Sequence, residues 1–204
     1  MIKTILWDFD GVIFDGMKIK ANGFKELFNS AKKEQIDRFL EFHYTHGGVP
    51  RFQKIEYFYK EILGKDISFD EVNVLAKRFA RIIERKLYSR DNLIKDSIGF
   101  IKKNYKKYSF HITSGAEHNE LNRVCEYFNL SQYFITIEGS PPTKDILIRD
   151  ILEKYNYKKE ETILIGDSIT DYSASLKNGI GFYGYNNIEL KKFNYIESFN
   201  EFKI

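Results

Sequence analysis

The chain has 204 residues, 43% hydrophobic and 30% charged, enough for one globular domain with its own core and a small insert. Lys plus Arg number 32 against 29 Asp plus Glu, and so small and evenly spread an excess (+3) argues against nucleic acid as the main partner. The lone cysteine, Cys125, excludes an intramolecular disulfide framework and fits a reducing compartment, while no apolar run approaches the ~20 residues of a membrane span.

The chain opens on a short apolar run, Thr4-Ile5-Leu6-Trp7, that ends in Asp8-Phe9-Asp10-Gly11. Length and β-branching suit a buried strand, and the glycine suits a sharp exit. Asp8 also falls where a signal peptide would carry its apolar stretch, so a cytoplasmic protein is expected. From about Met17 to Asn104 the pattern is helical. Pro50 suits the first turn of one helix, after a loop His46-Gly47-Gly48-Val49. Ser68-Phe69-Asp70-Glu71 has the spacing of a capping box, and Val72, Leu75, Phe79, Ile82 and Ile83 follow on one face.

From Tyr108 onward strands and helices alternate. Phe110-His111-Ile112-Thr113, Tyr133-Phe134-Ile135-Thr136-Ile137, Thr162-Ile163-Leu164-Ile165-Gly166 and Gly181-Phe182-Tyr183-Gly184 read as strands. Helices are expected around Leu121 to Phe128, from Ile146 to Tyr155, and up to Asn178. This alternation predicts an α/β fold, a Rossmann-like doubly wound parallel sheet, with an all-helical segment inserted after the first strand. His111, within a strand, reads as structural.

The chemistry gathers at the carboxyl ends of these strands, where open parallel sheets form their ligand sites. Asp8 and Asp10 close one strand and Asp167 and Asp171 follow another; Thr113 and Ser114 close a third, and Lys144 opens the helix after a fourth. Four carboxylates in one crevice repel one another unless a cation or proton intervenes, and an all-oxygen site suits Mg²⁺.

Asp8-Phe9-Asp10-Gly11-Val12, Thr113, Lys144 and Gly166-Asp167-Ser168-Ile169-Thr170-Asp171 resemble, in order, the four motifs of the haloacid dehalogenase superfamily. The likeness runs over essentially the whole chain. It implies a catalytic core of residues 1–15 and 90–204 and a helical C1-type cap of residues 16–89. It further implies a phosphatase in which Asp8 is the nucleophile, Asp10 the acid and base, Thr113 a phosphoryl ligand and Lys144 a charge neutraliser. Ser114 and Gly115 would add phosphoryl contacts, and Mg²⁺ would be held by Asp8, the Asp10 carbonyl and Asp167, with Asp171 in support. The second motif reads Ile112-Thr113-Ser114-Gly115, so Ser114 is an alternative to Thr113; the third reads Pro141-Pro142-Thr143-Lys144 instead of the commoner Lys-Pro order. In the cap, Arg51 and Lys54 share a helical spacing and are candidate substrate ligands for a second anionic group, against the alternative of a solvated helix face. The expected partner is a small phosphorylated metabolite, guessed to be a sugar, sugar nucleotide or amino-alcohol phosphate because His46 to Phe52 resembles hydrolases of bacterial surface-polysaccharide pathways. A phosphomutase and a non-catalytic phospho-ligand binding module are the alternatives.

Overall fold

The computed structural model describes residues 1–204. Six parallel strands form one sheet in the order β3-β2-β1-β4-β5-β6. They are β1 (Thr4–Trp7), β2 (Ser109–Glu117), β3 (Thr136–Ser140), β4 (Thr162–Gly166), β5 (Gly181–Tyr185) and β6 (Tyr195–Ile196). Central β1 pairs Thr4 with Ser109 of β2 on one side and Thr162 of β4 on the other. The chain builds outward from β1 through β2 and β3, then returns to β4, so the strand order reverses beside β1. That is where a crevice opens beyond the strand ends.

Between β1 and β2 lie α1 (Met17–Leu27), α2 (Lys33–Thr45), α3 (Arg51–Tyr57), α4 (Phe69–Leu87) and α5 (Lys95–Asn104). Pro50 is the cap residue and the helix begins at Arg51, one position after the expected start; α3 then runs into a π-helical turn at Phe58–Leu63. Ser68 caps α4 as its sequence requires, with Ser68 N donating to Glu71 Oε2 at 2.8 Å. Val72, Phe79 and Ile83 are fully buried and Leu75 and Ile82 partly so. The aromatic residues of the insert fill its interior: Phe28 stacks on Phe58 at 3.7 Å and Phe24 on Phe79 at 4.2 Å. Gly23 lets α1 approach α4, since a Cβ there would run into Ile83.

The second half carries α6 (His118–Tyr127), α7 (Lys144–Tyr155) and α8 (Ile169–Asn178). The third strand begins at Thr136, three residues later than Tyr133, because Ser131–Tyr133 is a 3₁₀ turn and Phe134 is spent on packing beside Phe110. Pairing with β2 starts only when Ile135 N donates to Phe110 O at 2.8 Å. α7 starts at Lys144, two residues before Ile146, with Thr143 at its cap. The short β6 and the tail after it carried no signal in the sequence. Asp96 fixes them, accepting from Phe199 N at 2.9 Å, as well as from the Tyr185 hydroxyl at 3.2 Å. Phe199 in turn packs against Trp7, the only tryptophan, at 5.4 Å between ring centroids.

His111 is structural, as its position suggests: its ring nitrogens meet Thr136 Oγ1 at 2.8 Å and the Tyr157 hydroxyl at 3.1 Å. Burial, aided by the nearby Lys154 charge, lowers its pKa to about 4. The folded state therefore favours neutral imidazole, so the stability this gives is full above the unfolded pKa near 6.5 and disappears as pH falls toward 4. His111→Gln is expected to remove roughly 3 kcal/mol of that pH-dependent slope, read as urea unfolding free energy between these two pH values. An unchanged slope would put the acid sensitivity elsewhere, the similarly depressed His43 being the first alternative.

Candidate active site

Asp8 follows the last residue of β1 and is held in line by its N–H, which donates to Ile165 O at 2.9 Å. The chain then turns on Gly11, whose φ of +82° an L side chain rarely adopts. A Cβ at Gly11 would also run into the Asp167 carboxylate. The two acidic strand ends are thus pressed together by a backbone that only glycine allows.

Lys144, at the first position of α7, is buried with its Nζ 2.7 Å from Asp8 Oδ1 and also paired with Asp171. The residue that caps α8 is Ser168 and not Asp167. Ser168 Oγ donates to Asp171 Oδ2 at 2.7 Å and Ser168 N to the same oxygen at 3.0 Å. Relieved of capping, the Asp167 side chain faces the others, and carboxylate oxygens of Asp8, Asp167 and Asp171 lie within 4.8 Å of one another. Burial, with Asp171 adding to it and Lys144 opposing it, raises Asp8 to about 7. Burial and the Asp8 charge likewise hold Asp167 well above the usual carboxylate range. Burial also works against the Lys144 charge, but Asp171 and Asp8 outweigh it and keep the ammonium above its ordinary range. Two buried carboxylates and the half-buried Asp167 against one lysine leave an excess of negative charge, and all-oxygen donors of this kind fit a divalent metal ion.

Asp10 stands at the border of this group. One of its oxygens is paired with Lys20 of α1, while Oδ1 is buried without a hydrogen-bond partner. β2 runs on to Glu117, so Thr113 does not close the strand but lies midway along it, one residue past the position that pairs with Trp7. Its Oγ1 is likewise buried and unpartnered, whereas Ser114 Oγ accepts from Ala116 N at 3.1 Å.

The insert closes over these groups. The Gly48 carbonyl lies against the α-carbon of Gly115 so closely that a Cβ at Gly115 would collide with it. Arg51 and Lys54 are both buried, so α3 presents them inward and the solvated alternative falls. Arg51 pairs with Glu120 of α6 and lies over the Phe79 ring at 5.1 Å. Lys54 Nζ is 2.9 Å from His43 Nδ1 and reaches the carbonyls of Gly47 and His43 at 3.3 and 3.4 Å. Burial, then the Lys20 charge, lowers Lys54 to about 7, and burial and Lys54 lower His43 to about 3. A cavity of about 20 Å³, room for about one water, is walled by Asp10, Lys20, His43, Arg51, Lys54 and Gly115, among others.

Gly115→Ala is therefore expected to prop the insert away from β2 and cost roughly 10²-fold in kcat/KM with the fold retained by circular dichroism. Unchanged kcat/KM would mean that the loop and β2 do not meet during turnover.

The structure brings Asp8, Lys144, Asp167 and Asp171 into direct proximity, with Asp10, Thr113, Ser114 and Gly115 around them. Lys20 and Glu120 were not apparent from sequence. Lys20 lies ten residues after its partner, and Glu120 lies 69 from Arg51, so neither pair has a local pattern to reveal it.

The profile of the haloacid dehalogenase-like hydrolases matches residues 5–185. No curated protein matches the sequence. Among solved structures, β-phosphoglucomutase from Clostridium difficile superposes with a TM-score of 0.81 at 17% identity, covering 100% of this chain and 94% of that one. CbbY from Rhodobacter sphaeroides, solved in complex with xylulose-(1,5)bisphosphate, gives 0.78 at 14% identity over 98% and 96% of the two chains. A protein described as a predicted phosphatase, from Clostridium acetobutylicum, gives 0.76 at 20% identity over 96% and 94%. At such identities these likenesses speak for the fold alone. No helix is long and apolar enough to cross a membrane. The profile match, spanning both acidic strand ends and everything between them, makes this chain a member of the haloacid dehalogenase-like hydrolases.

Proposed function

We propose that the protein is a Mg²⁺-dependent phosphatase that hydrolyses a small phosphate monoester through an aspartyl-phosphate on Asp8. The observation that carries this reading is the buried Asp8 with Lys144 Nζ at 2.7 Å and the Asp167 and Asp171 carboxylates beside it. Asp8, the backbone carbonyl of Asp10, and Asp167 would hold the metal, with Asp171 supporting. Bound there, Mg²⁺ would supply the charge that lets a phosphate dianion approach a carboxylate.

A carboxylate oxygen of Asp8 attacks phosphorus, and the ester P–O bond breaks with its electrons on the leaving oxygen. Asp10 gives that oxygen a proton, then takes one from water as the water oxygen attacks the aspartyl-phosphate. The bond from Asp8 to phosphorus breaks and inorganic phosphate leaves. Lys144 neutralises charge between nucleophile and phosphoryl group. Thr113 is favoured over Ser114 as the hydroxyl ligand because its Oγ1 has no other partner. The helical insert, residues 16–89, serves as a cap over the core of residues 1–15 and 90–204. Its Arg51 and Lys54 face the leaving group, and its closure keeps large substrates out. The likeness of the His46 to Phe52 segment to surface-polysaccharide hydrolases supports a phosphorylated sugar, sugar nucleotide or amino-alcohol as substrate.

The test is phosphate release from a panel of phosphorylated metabolites with Mg²⁺ and with EDTA. Release is expected with Mg²⁺, to vanish with EDTA and to return when Mg²⁺ is restored. Transfer of the phosphoryl group to a second hydroxyl without net release would identify a phosphomutase instead. Tight binding without either would identify a non-catalytic binding module.

A further inference from the structure

The cavity under the insert, which must widen from its closed form to admit a leaving group, is walled by four basic side chains and one acid, and the pairing of these groups determines what charge is left for that group. Lys20 is paired with Asp10 and Arg51 with Glu120. His43 is kept neutral by burial and by Lys54. Lys54 alone is bonded to neutral acceptors, the His43 ring and two carbonyls. Asp10, Asp167 and Asp8 attract it only through space. Glu120 belongs to the core, is buried, and meets Arg51 across the junction with the insert. A buried guanidinium could otherwise bind a phosphate dianion in bidentate fashion.

We propose that Glu120 is a specificity-determining residue: by occupying Arg51 it leaves the leaving-group cavity a single unpaired cation, Lys54, and so excludes leaving groups that carry a second phosphate. This rests on the phosphatase reading above, and it narrows the substrate class to phosphosugars and amino-alcohol phosphates with no other phosphate. A second dianion would have to displace Glu120, leaving a buried carboxylate without its partner, which is the kind of repulsive element that makes a site selective.

The test measures binding, so that it is separable from turnover. Fructose 6-phosphate and fructose 1,6-bisphosphate are titrated by calorimetry in the presence of Mg²⁺ into Asp8→Asn and into Asp8→Asn with Glu120→Gln. In the first background the monophosphate is expected to bind more tightly, and Glu120→Gln is expected to shift the ratio of dissociation constants about tenfold or more toward the bisphosphate. A ratio that does not move in a folded Glu120→Gln protein overturns the proposal, as does failure of both sugars to bind in both backgrounds. Should Glu120→Gln not fold, Glu120→Asp keeps the buried charge but shortens its reach to Arg51. It is expected to shift the ratio in the same direction, and an unmoved ratio in that folded protein overturns the proposal. Absence of phosphate release by the unaltered enzyme would count against the phosphatase reading, while the binding ratio would still report on Glu120.

Discussion

Asp8→Asn is expected to abolish phosphate release, by on the order of 10⁴-fold or more, while the chain stays folded. The amide keeps the shape of the side chain and can still accept from Lys144, but it cannot form the acyl-phosphate. The same substitution removes one of three crowded carboxylates. Burial raises the Asp8 pKa from 3.8 to about 7. An acid whose folded pKa lies above its unfolded value destabilises the fold as pH rises through that interval, because the unfolded chain gives up the proton first. Without divalent metal, the variant and the parent should therefore melt alike near pH 4, and the variant should melt higher above pH 7. Release assays and EDTA melts at the two pH values check both halves. Surviving activity would place the nucleophile elsewhere, and identical melts at pH 7 would mean the carboxylates do not repel as their burial implies.

Lys144→Met should harm both activity and stability. Lys144 is the only cation in direct contact with Asp8 and Asp171, and removing one partner of a buried charge cluster costs roughly 3–5 kcal/mol. Chemistry should fall by about 10³-fold, as for loss of one preorganised electrostatic donor. Because a divalent cation can supply part of the missing charge, urea unfolding in EDTA should show the full loss and unfolding in Mg²⁺ a smaller one. Equal losses in both would separate the metal from the lysine and argue that they do not share the same carboxylates.

The acidic strand ends were legible because burial, alternation and turn chemistry are local. β1 ended where its apolar run ended, Asp8 and Asp10 followed, and Gly166-Asp167 closed β4 in the same way. The Ser68 capping box was also readable, since both of its bonds lie within four residues. Boundaries slipped where a residue had two possible employments. Phe134 has strand propensity but packs in a loop, so β3 starts at Thr136. What the sequence hid was pairing over distance. Neither Arg51 with Glu120 nor the anchoring of the tail by Asp96 has any periodic trace. The burial of Lys54 was only half legible: its helical spacing from Arg51 made it a candidate ligand, but a lysine there reads equally as solvated until the element facing it is known.

Trp7 gives the molecule a spectroscopic handle. It is the sole tryptophan, buried in β1 one residue before Asp8, with its ring against Phe110, Phe199 and Phe100. Excitation selective for indole thus interrogates one position, seated between the catalytic strand end and the carboxy-terminal segment. Its emission should be that of an apolar environment in the native protein and move to the red when the last residues are clipped by a carboxypeptidase beyond Phe199. Fluorescence can therefore follow the docking of the tail in real time, with no label attached and no chemistry at Asp8.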